Sequence, residues 1–140
     1  DDAAVSDGTS PQLHDWLVQQ LPVLLTSAGW AKLKFGDCDE ATTYLRRSEA
    51  MKKSPETAKG LAVCYYKQKN LASAREQFAY YLEKQPQDDQ MKLLFTDVLE
   101  SEGRFDDAVR TLESLAAAPE TDYGRTLLAR ARITPLAAAR

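Results

Sequence analysis

Residues 55–86 read PETAKGLAVCYYKQKNLASAREQFAYYLEKQP. From Pro55 to Lys69 the apolar residues Ala58, Leu61, Ala62, Tyr65 and Tyr66 fall at i, i+3, i+4, i+7 and i+8. That is one stripe on a helix of 3.6 residues per turn. After the turn-like tetrad Lys69-Asn70-Leu71-Ala72, the stripe resumes with Leu71, Ala74, Phe78, Tyr81 and Leu82. Proline stands at both ends of the stretch, where it punctuates rather than continues a helix. Two helices joined by a tight turn are the expectation.

The same punctuation extends in both directions. Pro22, Pro55, Pro86 and Pro119 lie 33, 31 and 33 residues apart. Turn-like tetrads also occur at Gly36-Asp37-Cys38-Asp39 and Gly103-Arg104-Phe105-Asp106, and each of the three is followed at one offset by Ala41, Ala74 or Ala108. A period near 33–34 residues with a central turn predicts a solenoid of helix pairs. The expected fold class is all-α, an α-solenoid of antiparallel helix pairs. No segment alternates strictly enough to read as a strand. Helices are expected at 11–20, 22–35, 38–52, 56–68, 71–84, 88–102, 105–117 and 121–132. Asp37 is placed to cap the third of these, with Glu40 three residues on to reach back, and Ser10-Pro11 to open the first.

The expected organisation is a tail without periodicity at 1–9, a capping helix at 10–21, and repeats at 22–54, 55–88 and 89–120. Residues 121–140 then form a second capping helix or the start of a truncated fourth repeat. Leu13, Trp16, Leu17 and Leu21 carry the first cap; Tyr123, Leu127 and Leu128 carry the last.

In this register the sequence resembles the tetratricopeptide repeat (TPR) family. Ala58, Leu61-Ala62, Tyr65, Ala74, Phe78 and Pro86 match its signature. Gly29, Gly36-Asp37, Asp39-Glu40-Ala41 and Leu45 echo it before, and Phe95, Leu99, Gly103-Arg104-Phe105, Asp106-Asp107-Ala108 and Leu112 after. Departures are Ala58 for tryptophan, Ala62 and Thr96 for glycine, Lys32 for tyrosine, and Tyr81 for a small alanine. The resemblance implies tight turns at the glycines, close backbone approach at the alanines, and Leu45, Phe78 and Leu112 filling the space between neighbouring repeats.

It further implies a concave groove lined by the first helix of each pair. Carried over position by position, the groove residues are Val23, Thr26, Trp30 and Leu33, then Lys59, Val63, Tyr66 and Lys67, then Leu93, Asp97 and Glu100. Such a groove is apolar and aromatic at one end and acidic at the other. It suits a peptide or amphipathic helix of another protein. Tyr66 is favoured as a contact, because Tyr65 already fills the family's core position. Trp30, Leu33 and Val63 serve equally well as packing. A carboxylate clamp is disfavoured, since Lys59 is the one cation among the clamp positions.

The rest of the composition removes other classes. Hydrophobic residues are 44% and charged residues 28% of 140, ordinary globular usage. With Lys+Arg 18 against Asp+Glu 21, the net charge of −3 shows no basic excess for nucleic acid. No apolar run approaches the ~18 residues of a membrane span. His14 has no second histidine to share a metal, and Cys38 and Cys64 are too far apart in sequence for a CxxC pair. They read as small packing residues, with a single disulfide as the alternative. Asp37, Asp39 and Glu40 lack the rest of a calcium loop. Nothing sets a nucleophile beside a base, so no enzymatic activity and no cofactor are expected.

The functional expectation is a non-catalytic interaction module, a scaffold or adaptor, or part of a larger bacterial assembly protein. Two alternatives stay open: a dedicated TPR chaperone of a secretion or assembly client, and a regulatory fragment of a larger enzyme. Homo-oligomerisation through the end helices is also open. A first residue Asp1 rather than Met suggests a processed or truncated chain, soluble in the cytoplasm or the periplasm.

Overall fold

The computed structural model describes residues 10–115, and every regular element among them is an α-helix. In chain order these are α1 Pro11–Lys34, α2 Cys38–Met51, α3 Pro55–Lys67, α4 Leu71–Lys84, α5 Asp89–Ser101 and α6 Phe105–Glu113. The expected tail at 1–9 and helix at 121–132 lie outside the described residues. The chain divides into two compact units, one ending at Leu61 and one beginning at Ala62.

In the first unit, the two helices expected at 11–20 and 22–35 are one helix of 24 residues. Ser10 caps it, accepting from the Leu13 N–H, with Pro11 at the first helical position. Pro22 does not break it. Proline lacks an N–H for the carbonyl four residues back, but its fixed φ is compatible with a helix. The Pro22 carbonyl gains the Thr26 and Ser48 hydroxyls, at 2.9 and 2.7 Å. Leu25, Gly29 and Leu33, four residues apart, form the buried stripe of α1, which packs against α2. From α2 come Ala41, Leu45 and Ser48, all buried.

The fit around Leu45 depends on missing side chains. A Cβ built on Gly29 would lie 2.6 Å from the Leu45 Cγ, and one on Gly60 would lie 2.7 Å from its Cδ1. The leucine therefore occupies a socket made by two glycines.

The N-terminal half of α1 differs. Leu13, Trp16, Leu17 and Leu21, expected to cap the solenoid by packing, are 44%, 55%, 44% and 41% exposed. Val18, Val23 and Leu24 are exposed as well.

In the second unit, α4 packs on α5 and α5 on α6. Ala74, Phe78 and Tyr81 of α4 are buried, and the rings of Phe78 and Phe95 stack with centroids 5.8 Å apart. Leu99, Ala108 and Leu112 form a cluster joined by Leu93, Phe95, Val109 and Leu115. Lys92, buried on α5, sends its ammonium to the Ser114 carbonyl at 2.8 Å, a cation at the negative end of α6.

All three tetrads begin with a left-handed residue: Gly36 at φ 80°, Lys69 at 59° and Gly103 at 77°. Each carries the double bond pattern that closes a helix C-terminus. Gly36 and Asp37 donate to Leu33 and Lys32, Lys69 and Asn70 to Tyr66 and Tyr65, Gly103 and Arg104 to Glu100 and Leu99. Asp37 also caps α2 by accepting from the Glu40 N–H at 3.0 Å. The return bond from Glu40 is not made, because the Asp37 N–H is already given to Lys32. The Glu40 carboxylate pairs instead with the Lys32 ammonium at 2.6 Å.

Candidate functional site

The described surface holds a trough along one side of α1, entirely within the first unit. Its deeper part, a cavity of about 440 Å³, is lined by Pro22, Val23, Thr26, Ser27 and Trp30 of α1. Ser48 and Lys52 from the end of α2, and Ser54 and Glu56 from the start of α3, form the opposite wall. A neighbouring cavity of about 480 Å³ shares Pro22, Val23 and Lys52, and continues past Val18, Gln19, Gln20 and Met51.

Hydroxyls bind the walls of this trough together. The Thr26 Oγ1 lies 2.7 Å from the Ser48 Oγ and 2.9 Å from the Thr57 Oγ1, and Thr57 lies 2.8 Å from the Ser54 Oγ. Ser54 also caps α3 by accepting from the Thr57 N–H. Including the two contacts to the Pro22 carbonyl, five oxygen contacts are served by four hydroxyl hydrogens. At most four of the contacts can be hydrogen bonds at once. The indole of Trp30 donates to the Glu56 carbonyl at 3.2 Å, fixing its plane along the rim.

Of the groove residues expected from the sequence, Thr26, Trp30 and Val23 line this trough. Leu33 does not: it is 8% exposed, because its spacing from Leu25 and Gly29 places it on the core stripe. Lys59 is half-buried on α3.

Within the second unit, the Tyr66 hydroxyl donates to the Asp97 carboxylate, joining two expected residues. Val63 and Glu100 are half-buried, and Lys67 is exposed. Leu93 packs partly buried against the α5–α6 cluster and so serves the core.

Pro22, Ser27, Ser48, Lys52, Ser54 and Glu56 were not expected at the site. Ser48 and Thr57, whose hydroxyls tie the walls together, carried no signal in the apolar pattern, because their burial is set by the fold. Neither Cys38 nor Cys64 forms a disulfide, so that alternative is not realised. Among the described residues no group of three His, Cys, Asp or Glu could hold a metal ion, and no helix is long and apolar enough to cross a membrane.

Comparisons with known proteins agree with this helix-pair architecture. A tetratricopeptide repeat family model matches residues 26–89. Among solved structures, the crystal structure of yeast Tom70 aligns with a TM-score of 0.73 and 22% identity. The alignment covers 84% of this chain but only 25% of the Tom70 chain. At that identity the likeness concerns the fold, which is an all-α solenoid of helix pairs. No curated protein matches the chain. The repeated turns and the buried alanine and large apolar positions accord with the tetratricopeptide repeat that the family model recognises over residues 26–89.

Proposed function

We propose that this chain is a non-catalytic protein–protein interaction module that holds a peptide or an amphipathic helix of a partner. The observation that carries this reading is the trough along α1. It is long, open on one side, and mainly apolar, with Trp30 and Val23 for anchoring and hydroxyls and amides for orientation. Aromatic side chains anchor partners well because they bury large area at little rotamer cost. In the second unit, Tyr66 with Asp97 and exposed Lys67 offers a separate polar contact set.

The test is affinity capture from the source cells with wild type beside Val23→Glu and Tyr66→Ala. Val23 is 58% exposed, so the charge enters the trough without entering the core. A partner lost with either variant while helical circular dichroism is retained supports the reading. Identical captures from all three proteins overturn it.

A further inference from the structure

The trough has two apolar stations with polar groups between them. Val18, Pro22 and Val23 of α1, with Met51 of α2, form one, and Trp30 forms the other. Thr26 and Ser27 stand between them on α1. Val23 and Trp30 are seven residues apart, about 11 Å along the helix axis. Two turns of a helix laid beside α1 cover the same distance, so its side chains at that spacing reach both stations.

The α1 wall offers little to the main chain of an occupant. Apart from the Val18 carbonyl, which faces the Pro22 ring, this stretch of α1 spends its N–H and C=O groups on its own turns. The Trp30 indole N–H is given to the Glu56 carbonyl. The Thr26, Ser48, Ser54 and Thr57 hydroxyls are engaged with one another and with Pro22. An extended peptide needs main-chain partners that this wall lacks, whereas a helix arrives with its backbone already satisfied. Charge narrows the choice further. Lys52 borders both cavities, is exposed, and is the one cation among the residues that line them. Glu56, the one acid, borders only the cavity that Trp30 lines.

We propose that the occupant is an acidic amphipathic helix of another protein, with two large apolar side chains seven residues apart and a carboxylate between them set on Lys52. The inference rests on the trough being the partner-binding site. The hydroxyl network has no hydrogen to spare, so the Lys52 ammonium is the donor that this carboxylate uses.

Fluorescence anisotropy of labelled synthetic peptides with the full chain tests it. The probe is an alanine- and glutamine-based helix with two leucines seven residues apart and glutamate at the third and fourth positions after the first. One glutamate then meets Lys52 whichever way the helix runs. A second peptide has lysine in place of both glutamates, and a third has proline between the leucines. The glutamate peptide should bind the wild type about tenfold more tightly than the lysine peptide, and Lys52→Glu should reverse that order. Lys34→Glu, the same charge change away from the trough, should preserve it. The net charge of −3 opposes a preference for glutamate, so that preference reports the local site. The proline peptide should lose binding. Equal binding of the glutamate and lysine peptides overturns the proposal, as does an order that Lys52→Glu leaves unchanged. A proline peptide that binds as well as the first, or no binding by any of the three, also overturns it. A cellular partner lost with Val23→Glu but kept with Lys52→Glu overturns this inference alone and leaves the interaction-module reading standing.

Discussion

The Leu45 side chain occupies the place where a Cβ on Gly29 would be, with its Cγ 2.6 Å and its Cδ2 2.7 Å from that position. The Ala41 carbonyl stands 3.3 Å away and is backbone, so it cannot yield easily. Elsewhere in a helix, glycine to alanine gains about 1 kcal/mol of propensity. Here overpacking opposes that gain, at about 1–3 kcal/mol. Gly29→Ala should therefore be destabilising on balance in urea titration. In a double-mutant cycle, Leu45→Ala should remove most of the penalty, since the clashing atoms are then gone.

Lys69 holds a left-handed backbone where the equivalent turns have Gly36 and Gly103. A side chain in this region costs about 1–2 kcal/mol, partly offset by the freedom glycine has when unfolded. Lys69→Gly should stabilise the protein by about 1 kcal/mol. Gly36→Ala and Gly103→Ala should destabilise it by a similar amount or more. Neither glycine has an atom within 4 Å of a built Cβ, so the effect is backbone alone. Thermal denaturation of the three single variants checks both signs.

Thr26 is the hub of the hydroxyl network, with contacts to Pro22, Ser48 and Thr57. Thr26→Val keeps the shape and removes the hydroxyl, leaving Ser48 and Thr57 short of a partner. The expected loss is about 1–3 kcal/mol. Thr43→Val is the control: its hydroxyl bonds to the Asp39 carbonyl at an exposed site, and the change should stay within about 0.5 kcal/mol.

Lys32 has its ammonium pKa raised above the usual 10.5, first by its hydrogen bond to Glu40 and then by the attraction of that carboxylate. A raised lysine pKa contributes stability below the unfolded value and loses it as pH rises through the folded one. The pair is solvent-exposed, so the loss on the alkaline side is small. Glu40→Gln should return the Lys32 titration toward its ordinary value, as read by side-chain NMR.

Much of this architecture was legible before any coordinates. The alanines at 41, 74 and 108 and the large residues at 45, 78 and 112 all proved buried, because period and packing come from the same repeat. Pro22 misled, since its fixed φ suits a helix and α1 runs on through it despite the missing donor. Leu33 misled for another reason: one helix face borders both core and groove, and spacing alone does not separate them. The hydroxyl floor of the trough was invisible to an apolar pattern, which treats Ser48 and Thr57 as breaks in the stripe.

Leu45 between its two glycines works as a spacer gauge. Its volume sets how far apart the backbones at Gly29 and Gly60 can stand, so no one of the three residues can change size alone. A wider or narrower spacing requires coordinated substitution at positions 29, 45 and 60. Any descendant of this sequence that retunes its binding surface through helix separation must therefore cross a valley of less stable single mutants, whereas changes to the trough's lining side chains are reached in one step.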